Sequence, residues 1–134
     1  MTGSLHTNTL QIFMVEIEAL LARERVKVVY RGRVLTTELQ QAERQLLTVL
    51  PRMGPRFDMV CDVSAAEPLT QEAMDAVRRL AMLLLPAGMR THVRVVGRSG
   101  PTALQFQRIG RSAGYDSRLA FSLAEAEGLL DGPP

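Results

Sequence analysis

Six residues in one short stretch could carry chemistry: Asp62, Ser64, Glu67, Thr70, Gln71 and Glu72. Carboxylates interleaved with hydroxyls suit a loop that hydrogen-bonds itself, or one whose hydroxyl accepts a phosphoryl group. Thr70 also stands where a helix N-cap belongs, and Glu72 follows in the first turn, where negative charge meets the helix dipole. Elsewhere the reactive types are scattered. Cys61 is the one cysteine, and its apolar neighbours suit a small buried side chain better than a nucleophile. His6 and His92 have no spacing that would place them on one metal, so neither a zinc site nor another metal site is expected. The Gly97-Arg98-Ser99-Gly100 turn could cradle a phosphate at a helix N-terminus, but alone it reads as a strand-to-helix connection. No G-x-S-x-G elbow is present, and no Ser/His/Asp set is suggested by placement. The expectation is a non-enzyme, with no catalytic residues and no cofactor.

The elements around that stretch must position it. Phe57 to Cys61 is an apolar run with the length of a buried strand, and Asp62 ends it. Asp62-Val63-Ser64 leads into a small-residue loop, Ala65 to Leu69. A helix then begins after Thr70 and runs to about Leu85, with Ala73, Val77, Leu80 and Leu84 at helical spacing. A loop at the carboxyl end of a strand is where open α/β sheets place their working surface. Val60 and Cys61 should lie in a central strand buried by helices.

The pattern Asp62-Val63-Ser64, a six-residue loop and an apolar helix resembles the STAS domain, the family of anti-sigma-factor antagonists, stressosome proteins and sulfate-transporter tails. Its usual form reads D-L-S-x-V-x-F-[IM]-D-S-[ST]-G-L. Laid on without a gap, Asp62, Val63 and Ser64 match, and Leu69 and Met74 match in character. Thr70 falls on the second aspartate, Gln71 on the phosphorylated serine, Glu72 on the next hydroxyl residue and Ala73 on the glycine. The resemblance implies a regulatory protein-interaction domain that is not switched by phosphorylation at the usual serine. Its switch or partner loop would comprise Asp62, Ser64, Glu67, Thr70, Gln71 and Glu72.

Along the chain, residues 1–10 are small and polar and read as a flexible arm. Residues 11–132 read as one domain. Phe13, Val15, Ile17 and Ala19 alternate with polar positions, as a half-buried strand does. After a turn at Ala22 to Glu24, Val26, Val28 and Tyr30 make a second strand, and Gly32 supplies a bend or close approach. Thr36 or Thr37 should cap a helix bearing Leu39, Ala42, Leu46 and Leu50 on one face. Past Pro86 and Gly88, His92 opens a strand to Gly97. Ser99-Gly100-Pro101 starts a helix whose inner face is Ala103, Phe106, Ile109 and Ala113. Leu119 to Phe121 is a short strand, and Ser122 with Glu125 forms a capping box for a last helix. The fold class is therefore α/β: a STAS-like mixed sheet of four to five strands and about four helices, in the order ββαβαβαβα.

Across 134 residues the net charge is +2, nearly all of the positive charge being arginine. Six arginines against one acid lie between Arg90 and Arg118. With no nucleic-acid motif and no aromatic stacking platform to support them, they read as a solvated face and not as a nucleic-acid site. Arg94, Arg98, Arg108 and Arg111 are thus expected to be exposed. Neither a signal peptide nor a membrane span is legible, and a lone cysteine agrees with a reducing compartment, so a cytoplasmic location is expected. For partners, the resemblance implies an anti-sigma factor, a switch kinase or a stressosome-like component in a bacterial pathway, and a homodimer is compatible with it. Neither nucleic acid nor membrane is expected. A rival reading is a binder of lipid or nucleotide with Sec14-like topology. Gly32-Arg33-Val34 and the stretch Phe121 to Ala126 would fit that family too.

Overall fold

The computed structural model describes residues 14–132; the expected arm and Phe13 lie outside the described residues. Val15, Ile17 and Ala19 alternate with exposed Glu16 and Glu18 along β1 (Val15–Leu20). One 3-10 turn, Leu21–Arg23, reverses the chain into β2 (Arg25–Gly32), and the two strands pair antiparallel from Val15↔Tyr30 to Leu20↔Arg25. From there each strand is reached through a helix. α1 (Thr36–Val49) leads to β3 (Phe57–Ala66), and α2 (Gln71–Ala81) leads to β4 (Met89–Val95). α3 (Gly100–Ser112) leads to β5 (Arg118–Ala120), and α4 (Leu123–Asp131) closes the described chain. The sheet order is β1-β2-β3-β4-β5, with every pairing after the first parallel. This is the expected mixed α/β sheet in the expected order.

Sheet order equal to chain order has a consequence for the helices. Crossovers of one hand that step in one direction across a sheet deliver their helices to one face. α1, α2 and α3 accordingly bury a single large core with Val26, Val28, Tyr30, Phe57, Met59, Cys61 and Val63. Fully buried Phe57, Leu39 and Leu46 anchor it, each contributing about 1.5–3 kcal/mol. The other face carries a smaller core, Val60, Val93, Val95 and Ala120, covered by Ala126 of α4 with Leu129 and Leu130. Buried Arg25 fastens α4 from the sheet, bonding Glu127 and, at 2.7 Å, Asp131. Farther along this face, Lys27 of β2 pairs with Glu18 of β1 at 3.1 Å across the strands.

Several local expectations need correction. α1 has Leu35 as its N-cap, without a side-chain bond, and Thr36 is already helical; neither Thr36 nor Thr37 caps it. Leu35 takes up the extended backbone of the junction, so the hydroxyl residues fall one position late. α2 stops at Ala81 instead of running to Leu85. Pro86 lacks an N–H and crowds the preceding turn, and Leu83 tightens onto Leu80 (3.1 Å) before a separate turn, Leu84–Ala87. β4 begins at Met89, which moves His92 from the start of the strand to its buried middle. Arg98, Arg108 and Arg111 are exposed, but Arg94 is only 4% exposed, because β4 turns it under α3.

Candidate functional site

The expected loop begins later than the composition suggests. β3 does not end at Asp62 but runs to Ala66, since Asp62 is buried and fully integrated in the sheet. Between Val29↔Asp62 and Arg31↔Ala65 the partner strand advances two residues and β3 advances three. One extra residue is therefore inserted at Val63-Ser64, as in a β-bulge. A bulge interrupts the ladder, and the Asp62 carboxylate takes up the consequence. Its Oδ1 accepts from the Ser64 N–H at 3.0 Å and from the Ser64 hydroxyl at 2.6 Å. Gly97 packs directly on this bulge. A Cβ at Gly97 would lie 2.3 Å from the Ser64 carbonyl oxygen, so only glycine fits.

From Glu67 to Glu72 every side chain but that of buried Leu69 faces solvent, while the backbone is tied down. The Glu67 N–H donates to the Gly32 carbonyl at 2.9 Å. Gln105 of α3 clamps Leu69 at both ends, its Oε1 accepting from the Leu69 N–H (2.7 Å) and its Nε2 donating to the Leu69 carbonyl (3.0 Å). Thr102, fully buried, donates to the Ala66 carbonyl at 3.2 Å. Thr70 caps α2 as expected, its Oγ1 accepting from the Ala73 N–H at 3.2 Å. Gln71 reaches along the helix to Asp75 (3.2 Å), and Glu72 projects from the first turn. Glu67, Thr70, Gln71 and Glu72 are all exposed, so they form one presented edge, whereas Asp62 is a buried strut beneath it.

Gly97, Thr102 and Gln105 were not singled out by sequence reasoning for this loop. No local signal could find them, because they act across more than thirty positions of chain. The same applies to the interior of the sheet. His92, 5% exposed, shares a 2.8 Å hydrogen bond with Ser117 and lies 4.7 Å from the Tyr115 ring. Burial, with Arg94 adding to it, pushes its pKa down to about 3. Cys61 is buried beside them, and loss of solvation pushes its thiol up to about 12 against the opposing pull of Arg94. A thiol so raised is a poor nucleophile at neutral pH. The Gly97 to Gly100 turn is a strand-to-helix connection, with Ser99 capping α3 by accepting from the Thr102 N–H at 3.2 Å.

No family model matches the chain, and no curated protein does. Among solved structures, it is similar to an uncharacterized protein of the DUF3478 family with a SpoIIAA-like fold, from Shewanella loihica PV-4. The match has a TM-score of 0.64 at 11% identity and covers 87% of this chain and 91% of that one. A likeness at that identity speaks to fold alone. Among the described residues no helix is long and apolar enough to cross a membrane. The five-strand mixed sheet and its helices give this chain a SpoIIAA-like fold, as the STAS resemblance implies.

Proposed function

We propose that this protein is a non-catalytic regulatory interaction domain, which engages a protein partner through the edge from Ala65 to Gln71 and the exposed side of α2. A bacterial cytoplasmic pathway is its setting, and an anti-sigma factor, a switch kinase or a stressosome-like component is its class of partner. One observation carries this reading: the loop is held by Gln105, Thr102 and Asp62 while Glu67, Thr70, Gln71 and Glu72 stay exposed. A backbone already fixed, with exposed side chains on it, lowers the ordering cost of association.

Such a partner would meet one constant state. Gln71 has no hydroxyl, the Ser64 hydroxyl is committed to Asp62, and the Thr70 oxygen is committed to its helix cap. Glu72 supplies a charge that no phosphatase removes, although one charge is less than a phosphate carries. Regulation would then act through abundance or through competition between partners. A photo-crosslinking residue at Gln71 should capture a discrete partner in native cells, while the same residue at exposed Arg56, outside the loop, should not. Glu72→Arg should abolish the capture. Equal capture at both positions, or stoichiometric phosphate on Ser64 or Thr70 accompanied by partner release, would refute the proposal.

A further inference from the structure

A cleft of about 560 Å³ opens between α3 and β5 at the edge of the sheet. Its walls are partly apolar: Val96, Ala103, Leu104 and Leu119 line it, and Leu104 and Leu119 stay exposed there. Arg94 lines it as well, and Arg94 is the anomaly of the molecule. Its guanidinium is buried, yet no carboxylate among the described residues pairs with it. Its Nη2 donates to the Phe106 carbonyl at 3.0 Å, and its Nε has no partner. Burial lowers its pKa from the ordinary value. The sequence makes room for this arrangement, since a Cβ at Gly110 would lie 3.2 Å from Arg94 Nη2 and 3.0 Å from the Tyr115 ring. Removing a charge from water without a counter-charge is costly, and such a group persists where something else repays it.

We propose that this cleft binds a small organic monocarboxylate, whose carboxylate pairs with the Arg94 guanidinium and whose apolar body lies along Val96, Ala103, Leu104 and Leu119. A planar guanidinium with unused N–H donors matches a carboxylate in geometry and charge. A singly charged ligand fits better than a dianion. The cleft holds Arg94 and Arg111 against Asp116, two positive charges and one negative, for a net of one. Arg111 already spends part of its charge on Asp116, at 3.2 Å near the mouth. A phosphate dianion would exceed the available positive charge and face Asp116. Sequence reasoning missed the site because it placed Arg94 with the solvated arginines. The inference goes beyond the protein-partner reading and does not depend on it, since the cleft and the loop edge share no residue.

The test is calorimetric titration of the full chain with octanoate and phenylacetate, with octanol and octyl phosphate as the uncharged and dianionic counterparts. Saturable one-to-one binding of a carboxylate is expected, with octanol and octyl phosphate at least tenfold weaker. Arg94→Leu should weaken carboxylate binding at least tenfold without lowering the melting temperature, because it removes a buried charge that no described carboxylate pairs with. Leu104→Trp fills the cleft from an exposed position that the core does not need, and it should also weaken binding at least tenfold. That variant tests the cleft as the binding place whatever part Arg94 takes in folding. The proposal is overturned if neither carboxylate binds, if octanol or octyl phosphate binds as well as octanoate, or if either Arg94→Leu or Leu104→Trp leaves affinity unchanged.

Discussion

His92 shows how one buried side chain can govern the behaviour of the whole molecule with pH. Its pKa is lowered from 6.5 to about 3, mainly because burial penalises the imidazolium, and Arg94 adds repulsion. Below pH 6.5 the unfolded chain takes up a proton that the folded chain refuses until about pH 3. The unfolded state thus binds more protons throughout that window, and stability rises with pH across it. The slope expected from this group is about 1.4 kcal/mol per pH unit. Urea denaturation at pH 5 and pH 7.5 should show it, and His92→Gln should remove most of the difference. If the variant keeps the same slope, the histidine is not the titrating group. Thr70→Ala is the smaller case. It frees the Ala73 N–H from its cap and should cost about 1 kcal/mol in the same assay, with α2 otherwise intact.

The β3 bulge, the Gly97 turn and α3 work as one unit supporting the loop. Gly97 allows the β4–α3 connection to lie against the Ser64 carbonyl, and Thr102 and Gln105 then fall within reach of Ala66 and Leu69. Gly97→Ala places a methyl group 2.3 Å from a backbone oxygen that cannot swing aside. The expected cost is about 1–3 kcal/mol, together with faster amide exchange at Ser64 to Leu69. A crosslinking residue at Gln71 should then capture its partner less efficiently in the Gly97→Ala background. Unchanged melting and unchanged exchange would show that the bulge and the turn are independent.

Over the whole molecule, the two faces of the sheet are unequal. Among the described residues, three helices seal one face, and α4 alone covers part of the other over Val60, Val93, Val95 and Ala120. Local opening follows the amount of buried apolar contact, so the amides of α4 should exchange before those of β3 and β4. Arg25 links the sheet to α4 through Glu127 and Asp131. Arg25→Ala should therefore accelerate exchange in α4 selectively and leave α1, α2 and α3 protected. Uniform acceleration would mean that the molecule opens as a single unit.

What the amino-acid sequence determined by itself was the type and order of the elements, although not each cap and boundary: the cap of α1, the end of α2 and the start of β4 fell elsewhere. The period of Val15, Ile17 and Ala19, the helical spacing of Ala73, Val77 and Leu80, and the caps at Thr70 and Ser122 all stand in the structure. These signals act within a few residues, and right-handed crossovers assemble them into few topologies. Tertiary structure alone decided the rest. Asp62 looks like the end of a strand because it is charged, but the bulge gives its carboxylate two donors and keeps it inside the sheet. Arg94 looks like its exposed neighbours, and only the strand's facing under α3 buries it. Gln105 carries no mark of its hold on Leu69, thirty-six positions away. Burial and long-range hydrogen bonding belong to the packed chain, because a residue's type sets what it can donate or accept but not which group will meet it.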